Sequence, residues 1–161
     1  MVRETIVAQP KSKMGPGELI IRLKQAKHVG GHDFMCLGRA DMYVLFNLGG
    51  EERKSKVVQN AGSNPQWNEK ISFKIAPHVK FELYDTLHVT LCEDDVARDD
   101  LYGVANIDIE TLLHEHGNEV PFNSYPVHQK DGRQRGTVEL ALSFIPNFRK
   151  RTLRHFLAFE D

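Results

Sequence analysis

Acidic side chains fall in two separated groups along this chain, each beside turn-forming residues. The first comprises Asp33 and Asp41; the second runs from Glu93, Asp94 and Asp95 to Asp99 and Asp100. A hard divalent cation takes six to eight oxygen ligands, more than one strand can supply. Carboxylates on different loops that meet at one rim are therefore the pattern expected of a calcium-type site. The competing expectation is a set of solvated turn formers, a role Asp commonly fills. Cys92, beside the second group, carries a soft and ordinarily neutral thiol that serves such an ion poorly.

Other chemistry is less well supplied. Arg53, Lys54 and Lys56 form a basic segment that can hold anionic headgroups, or can protect a sheet edge from aggregation. Phe34, Met35 and Leu37 lie beside Asp33, an apolar run unusual for a solvated turn. Cys36 and Cys92, both expected in loops at one apex, are too few for a disulfide framework and read as reduced thiols. His114 and His116 flank Glu115 but are alternate, not one helical turn apart, so a zinc site is weakly signalled. The pairs Gly30-Gly31 and Gly49-Gly50 precede no convincing helix, so neither reads as a phosphate cradle. No nucleophile–base arrangement and no nucleic-acid motif is present, so the reading is a binding module and not an enzyme.

The elements that must position these groups repeat with period two. Leu19, Ile21 and Leu23 share a face, as do Ile71, Phe73 and Ile75, then Leu87, Val89 and Leu91, then Ala105, Ile107 and Ile109. Val138, Leu140, Leu142 and Phe144 alternate most cleanly, and Met42 to Phe46, apolar on both sides, suits a central strand. Turn residues separate these runs at Gly30, Gly49, Gly62 to Pro65, Gly117 and Asp131-Gly132. Short helical patches are expected over Ile109 to His116 and Pro77 to Tyr84, in connections. An all-β antiparallel sandwich follows. With 161 residues, 40% hydrophobic, the chain suits one domain: a lead-in over 1–16, a sandwich over 17–146 and a tail over 147–161. The tail sets Arg149, Lys150, Arg151 and Arg154 beside Phe148, Leu153, Phe156 and Leu157, an amphipathic basic segment for a membrane or a protein partner. A net charge of −1 gives no global field for nucleic acid, and no apolar run is long enough to span a bilayer. A cytoplasmic setting is expected.

The strand signatures resemble, in order, a C2 domain, the calcium- and phospholipid-binding module. The resemblance covers about Gly17 to Pro146 and is carried by several pieces. They are Gly17-Glu18-Leu19, Asp41-Met42-Tyr43-Val44 where the family has Asp-Pro-Tyr-Val, Asn64-Pro65-Gln66-Trp67-Asn68-Glu69, Asp99-Asp100-Leu101-Tyr102-Gly103 and Gly136-Thr137-Val138-Glu139-Leu140. The Asn-Pro-Gln-Trp-Asn-Glu element is the most specific. The basic segment looks most like small stand-alone C2 proteins of plants and protists; the resemblance implies an eight-stranded antiparallel Greek-key sandwich, and the strand ends suggest the type II order. The resemblance implies weak Ca2+ binding by Asp33, Asp41, Asp94 and Asp100, with Glu93 in reserve, at an apex docking on anionic phospholipid. It also implies headgroup contacts from Arg53, Lys54 and Lys56, and bilayer insertion of Phe34 and Met35. Two departures stand out: Cys92 occupies a position where the family normally has Asp, and Asp33 lies two residues further from Asp41 than the family spacing. They leave an alternative: a calcium-independent protein-interaction module with a degenerate metal site.

Overall fold

A computed structural model describes residues 15–30, 40–77, 84–94 and 100–147. Its elements in chain order are β1 (Gly17–Lys27), β2 (Asp41–Leu48), β3 (Glu51–Lys54), β4 (Gln66–Ile75), β5 (Thr86–Asp94), β6 (Asp100–Asp108), α1 (Ile109–His116), β7 (Glu119–His128) and β8 (Gln134–Pro146). The spatial order is β3-β2-β5-β6-β7-β8-β1-β4, with every pairing antiparallel. Two four-stranded halves thus face each other, and β6 meets β7 at one registered pair, Val104 with His128. The expected antiparallel sandwich is what the chain forms.

Alternation explains the core. Leu19, Ile21 and Leu23 of β1 point inward against Leu140, Leu142 and Phe144 of β8, and all six are buried. From the other half come Val44 and Phe46 of β2 and Leu87, Val89 and Leu91 of β5, none of which reaches solvent. β2 lies between β3 and β5, as its two-sided apolar run requires. The helix α1 occupies the β6–β7 connection, and its N-cap Asp108 accepts a hydrogen bond from the Thr111 amide at 3.0 Å. Of the second helical patch, residues 78–83 lie outside the described residues.

Gly136, near the start of β8, adopts φ +86, a conformation that favours glycine. A Cβ there would sit 2.5 Å from the Lys27 carbonyl oxygen and 2.7 Å from Val29 Cγ1. Gly136→Ala is therefore expected to cost about 1–3 kcal/mol, seen as a lowered urea midpoint with unchanged slope. A midpoint equal to that of the parent chain would contradict this account of the turn.

Candidate functional site

Three strand ends carry the acidic cluster. On β2 and β5, Asp41 stands directly across from Asp94, and on β5 and β6, Glu93 stands across from Asp100. Directly opposed residues have Cβ atoms about 5 Å apart, and like charges so placed disfavour the sheet. The two pairs start from opposite faces. Asp41 and Asp94 share a face with Tyr43 and Cys92, whereas Glu93 is opposed to the buried Met42. Asp41 is further fixed by its Oδ1, which accepts a hydrogen bond from the Asn60 amide at 2.8 Å. Asn60, at φ +49, is a contributor that sequence reasoning missed; the signal was the turn composition of Asn60-Ala61-Gly62.

Facing carboxylates offer a hard cation anionic oxygen and shed mutual repulsion when a positive charge lies between them, but each described pair supplies only two carboxylates, short of the six to eight oxygens such an ion takes. Among the described residues no group of three acidic, histidine or cysteine side chains is gathered for an ion. Asp33, Phe34, Met35 and Cys36, with Asp95 and Asp99, lie outside the described residues, as does the tail from 148 to 161. Cys92 is not in an apical loop, as expected from sequence, but inside β5, buried across from Tyr43 and from Leu101. The register slips by one residue there, with Tyr102 as the extra residue of β6. Tyr102 is buried, and that burial pushes its phenol pKa up while its hydroxyl donates to the Arg135 carbonyl at 3.2 Å.

The Asn64–Glu69 element is a structural clasp. Asn64 Oδ1 accepts from the His28 amide at 3.1 Å, and the Pro65 carbonyl accepts from the Ala26 amide at 3.0 Å. Trp67 Nε1 then donates to the Lys56 carbonyl at 3.0 Å, and Glu69 Oε2 accepts from the Lys56 amide at 2.9 Å. Both backbone polar groups of Lys56 are thus held by one motif, while its side chain stays exposed. Asn68, between the two contacts, takes φ +47 where the β1–β4 register shifts.

The basic segment divides. β3 ends at Lys54, so Lys56 lies beyond the strand. Lys54 stands across from Leu45, and its Nζ sits 4.0 Å from the centre of the Tyr43 ring on the same face, a cation–π contact. Arg53, one residue earlier, stands across from the buried Phe46 and lies over the Phe73 ring at 5.2 Å, ion-paired with Glu51. Arg53 and Lys54 therefore address opposite faces, as a period of two dictates.

A family model described as C2 domain matches residues 17–124. Elicitor-responsive protein 1 of Oryza sativa subsp. japonica is 32% identical over 135 residues, covering 81% of this chain and 85% of the relative. The 16 kDa phloem protein 1 of Cucurbita maxima is also 32% identical over 135 residues, covering 81% and 89%. A solved structure, a C2 domain-containing protein from a putative elicitor-responsive gene, superposes with TM-score 0.67 at 30% identity, covering 88% and 97% of the two chains. With the sandwich and the acidic strand ends in place, these matches put the chain in the C2 domain family.

Proposed function

We propose that the chain is a peripheral module that docks on anionic phospholipid, assisted by weak calcium binding at the acidic end of the β2–β5–β6 sheet. The observation that carries this reading is the direct opposition of Asp41 and Asp94, repeated one strand over by Glu93 and Asp100. Asp41 and Asp94 would hold the ion, with Asp100, Glu93 and Asp33 as further ligands. The ion, when bound, supplies positive charge that cancels the carboxylates and bridges them to lipid phosphate. Lys54 and Lys56 attract headgroups, the first braced by Tyr43 and the second by the clasp. Phe34 and Met35 enter the apolar layer, and Arg53 steadies the edge strand. A cytoplasmic location peripheral to membranes fits this role, and among the described residues no helix is long and apolar enough to cross a bilayer.

Sedimentation with phosphatidylserine vesicles tests the reading. The chain is expected to pellet in millimolar calcium and to remain in solution with chelator. Pelleting indifferent to chelator would discard the calcium part, and absence of vesicle binding in both conditions would discard the whole. Each Lys or Arg near an anionic surface contributes about 1 kcal/mol, so Lys54→Ala with Lys56→Ala should weaken binding about thirtyfold. A double variant that binds as tightly as the parent would remove these two lysines from the docking face.

A second reading has one specific observation in its favour. Cys92 is packed inside β5 where the family carries a ligand, which suits a protein-interaction module working without calcium, through the tail or a sheet face. Capture of a partner protein, unaffected by chelator and without lipid binding, would favour it.

A further inference from the structure

The β4–β1–β8–β7 half carries a second group of cations on its outer face, on the other side of the sandwich from Lys54. Across β1 and β4, Glu18 stands opposite Lys74, whereas Arg22 stands opposite Lys70. The first pairing joins unlike charges, the stabilising arrangement across strands. The second sets two exposed cations face to face, which disfavours the sheet unless an anion joins them. Among the described residues neither the Arg22 nor the Lys70 side chain has a hydrogen-bond or ion-pair partner.

One neighbouring pair of charges cancels. Lys24 Nζ lies 3.3 Å from Glu139 Oε1, and Gln25 Nε2 donates to Glu139 Oε2 at 2.7 Å. The Gln25 bond first, and Lys24 after it, hold the Glu139 carboxyl below its usual range, so it stays ionised and balances Lys24. Glu69 accepts a hydrogen bond from the Lys56 amide, a neutral donor, and so keeps its negative charge beside the two cations. Arg22, Lys24, Asn68, Glu69, Lys70 and Phe122 together line a depression of about 270 Å³, room for one phosphoryl group and part of the side chain that bears it. Phe122, 47% exposed, forms its rim, with the Lys24 ammonium 5.4 Å from the ring centre.

We infer that Arg22 and Lys70, flanked by Lys24 and Phe122, bind a phosphorylated side chain of a partner protein. A phosphate monoester carries about −1.5 to −2 charge at pH 7 and three acceptor oxygens, so it can engage Arg22 and Lys70 together against the opposing charge of the Glu69 carboxylate. The Arg22 guanidinium can meet two phosphate oxygens at once, and Lys70 supplies a point charge from the adjacent strand. The choice of a protein over a lipid rests on the membrane reading above. With Lys54 against a bilayer, the Arg22 face, on the outer side of the opposite half, points away from that plane. Exposed Phe122 and Ile145, both on this half, offer apolar contacts for residues flanking the phosphate. The module would then bring a phosphorylated partner to the membrane.

Fluorescence anisotropy of the full chain with fluorescein-labelled degenerate peptides, each with one fixed phosphoserine or phosphotyrosine, tests this in chelator and without lipid. Phosphorylated peptides should bind at least tenfold more tightly than their unphosphorylated forms. Arg22→Ala with Lys70→Ala should remove that advantage, Arg22→Lys should reduce it, and Lys54→Ala with Lys56→Ala should leave it intact. Both substituted positions are exposed, so the urea midpoint of R22A/K70A should equal or exceed the parent's, as relief of like charge requires. Equal binding of phosphorylated and plain peptides, or an R22A/K70A variant that binds as the parent does, overturns the inference. Retention on phosphatidylinositol monophosphate vesicles through Arg22 and Lys70, with no peptide binding, makes the ligand a lipid and overturns it too. Because calcium and vesicles are absent from the peptide assay, its failure leaves the membrane reading standing, and the converse holds.

Discussion

Asp41→Asn combined with Asp94→Asn is expected to leave the chain folded while removing at least nine-tenths of its calcium-dependent retention on phosphatidylserine vesicles, about a tenfold loss. The two side chains stand directly across from each other at the sheet end, so neutralising both takes away negative charge that would attract a hard ion. The same change has a second signature of opposite sign. In chelator the double variant should be as stable as the parent or more stable, by about 0.2–1 kcal/mol, because like charges no longer face each other. Asn keeps an amide oxygen that can still accept the Asn60 hydrogen bond, so the local turn is preserved. Calcium tenfold above its dissociation constant should stabilise the parent by about 1.4 kcal/mol and the variant not at all. Thermal melts with and without calcium read both effects. A double variant whose vesicle binding and melting still respond to calcium like the parent's would falsify the assignment of this pair.

The largest loss of stability is expected at Trp67. Trp67→Ala removes a nearly buried indole from the core and should cost about 3–5 kcal/mol. It also strips the Lys56 carbonyl of its indole donor, leaving the Ser55 hydroxyl at 2.9 Å as the remaining described donor. Trp67→Phe keeps much of the ring and loses the N–H, so its cost should be nearer 1 kcal/mol. Chemical denaturation of the two variants separates packing from hydrogen bonding. Near-equal midpoints for the alanine and phenylalanine forms would show that the clasp, not the ring, carries the energy. Vesicle binding of the phenylalanine form tests whether holding the Lys56 backbone matters for docking.

Much of the fold was legible in the chain because a period of two has one physical meaning. Val138, Leu140, Leu142 and Phe144 announced a strand with a dry side, and all four are buried. The two-sided run from Met42 to Phe46 likewise announced an interior strand. The acidic site was half legible. That Asp41 and Asp94 belong to one end follows from their places beside turns, but which carboxylate opposes which depends on strand register, and register is a tertiary quantity. The same blindness hid Arg22 and Lys70, which are remote in sequence and adjacent across β1 and β4. Cys92 was misplaced because a run of acids after it resembles a loop, whereas β5 continues to Asp94. Treating Arg53, Lys54 and Lys56 as one patch overlooked the alternation that served so well elsewhere: neighbours in a strand cannot share a face. The Asn64–Glu69 motif was recognisable, yet its grip on Lys56 depends on how the β3–β4 connection folds back, which is again a tertiary quantity.

The meeting of β6 and β7 has a mechanical corollary. One ladder pair joins them, and Gly103 beside it lets the backbones come so near that a Cβ would lie 2.7 Å from Val127 Cγ1. Within each half, neighbouring strands are laced by four or more registered pairs; between the halves, the wall is buttoned at a single point. β6 is tied to β5 by eight such pairs and to β7 by one, so the seam between the halves is the line along which the wall opens at least cost.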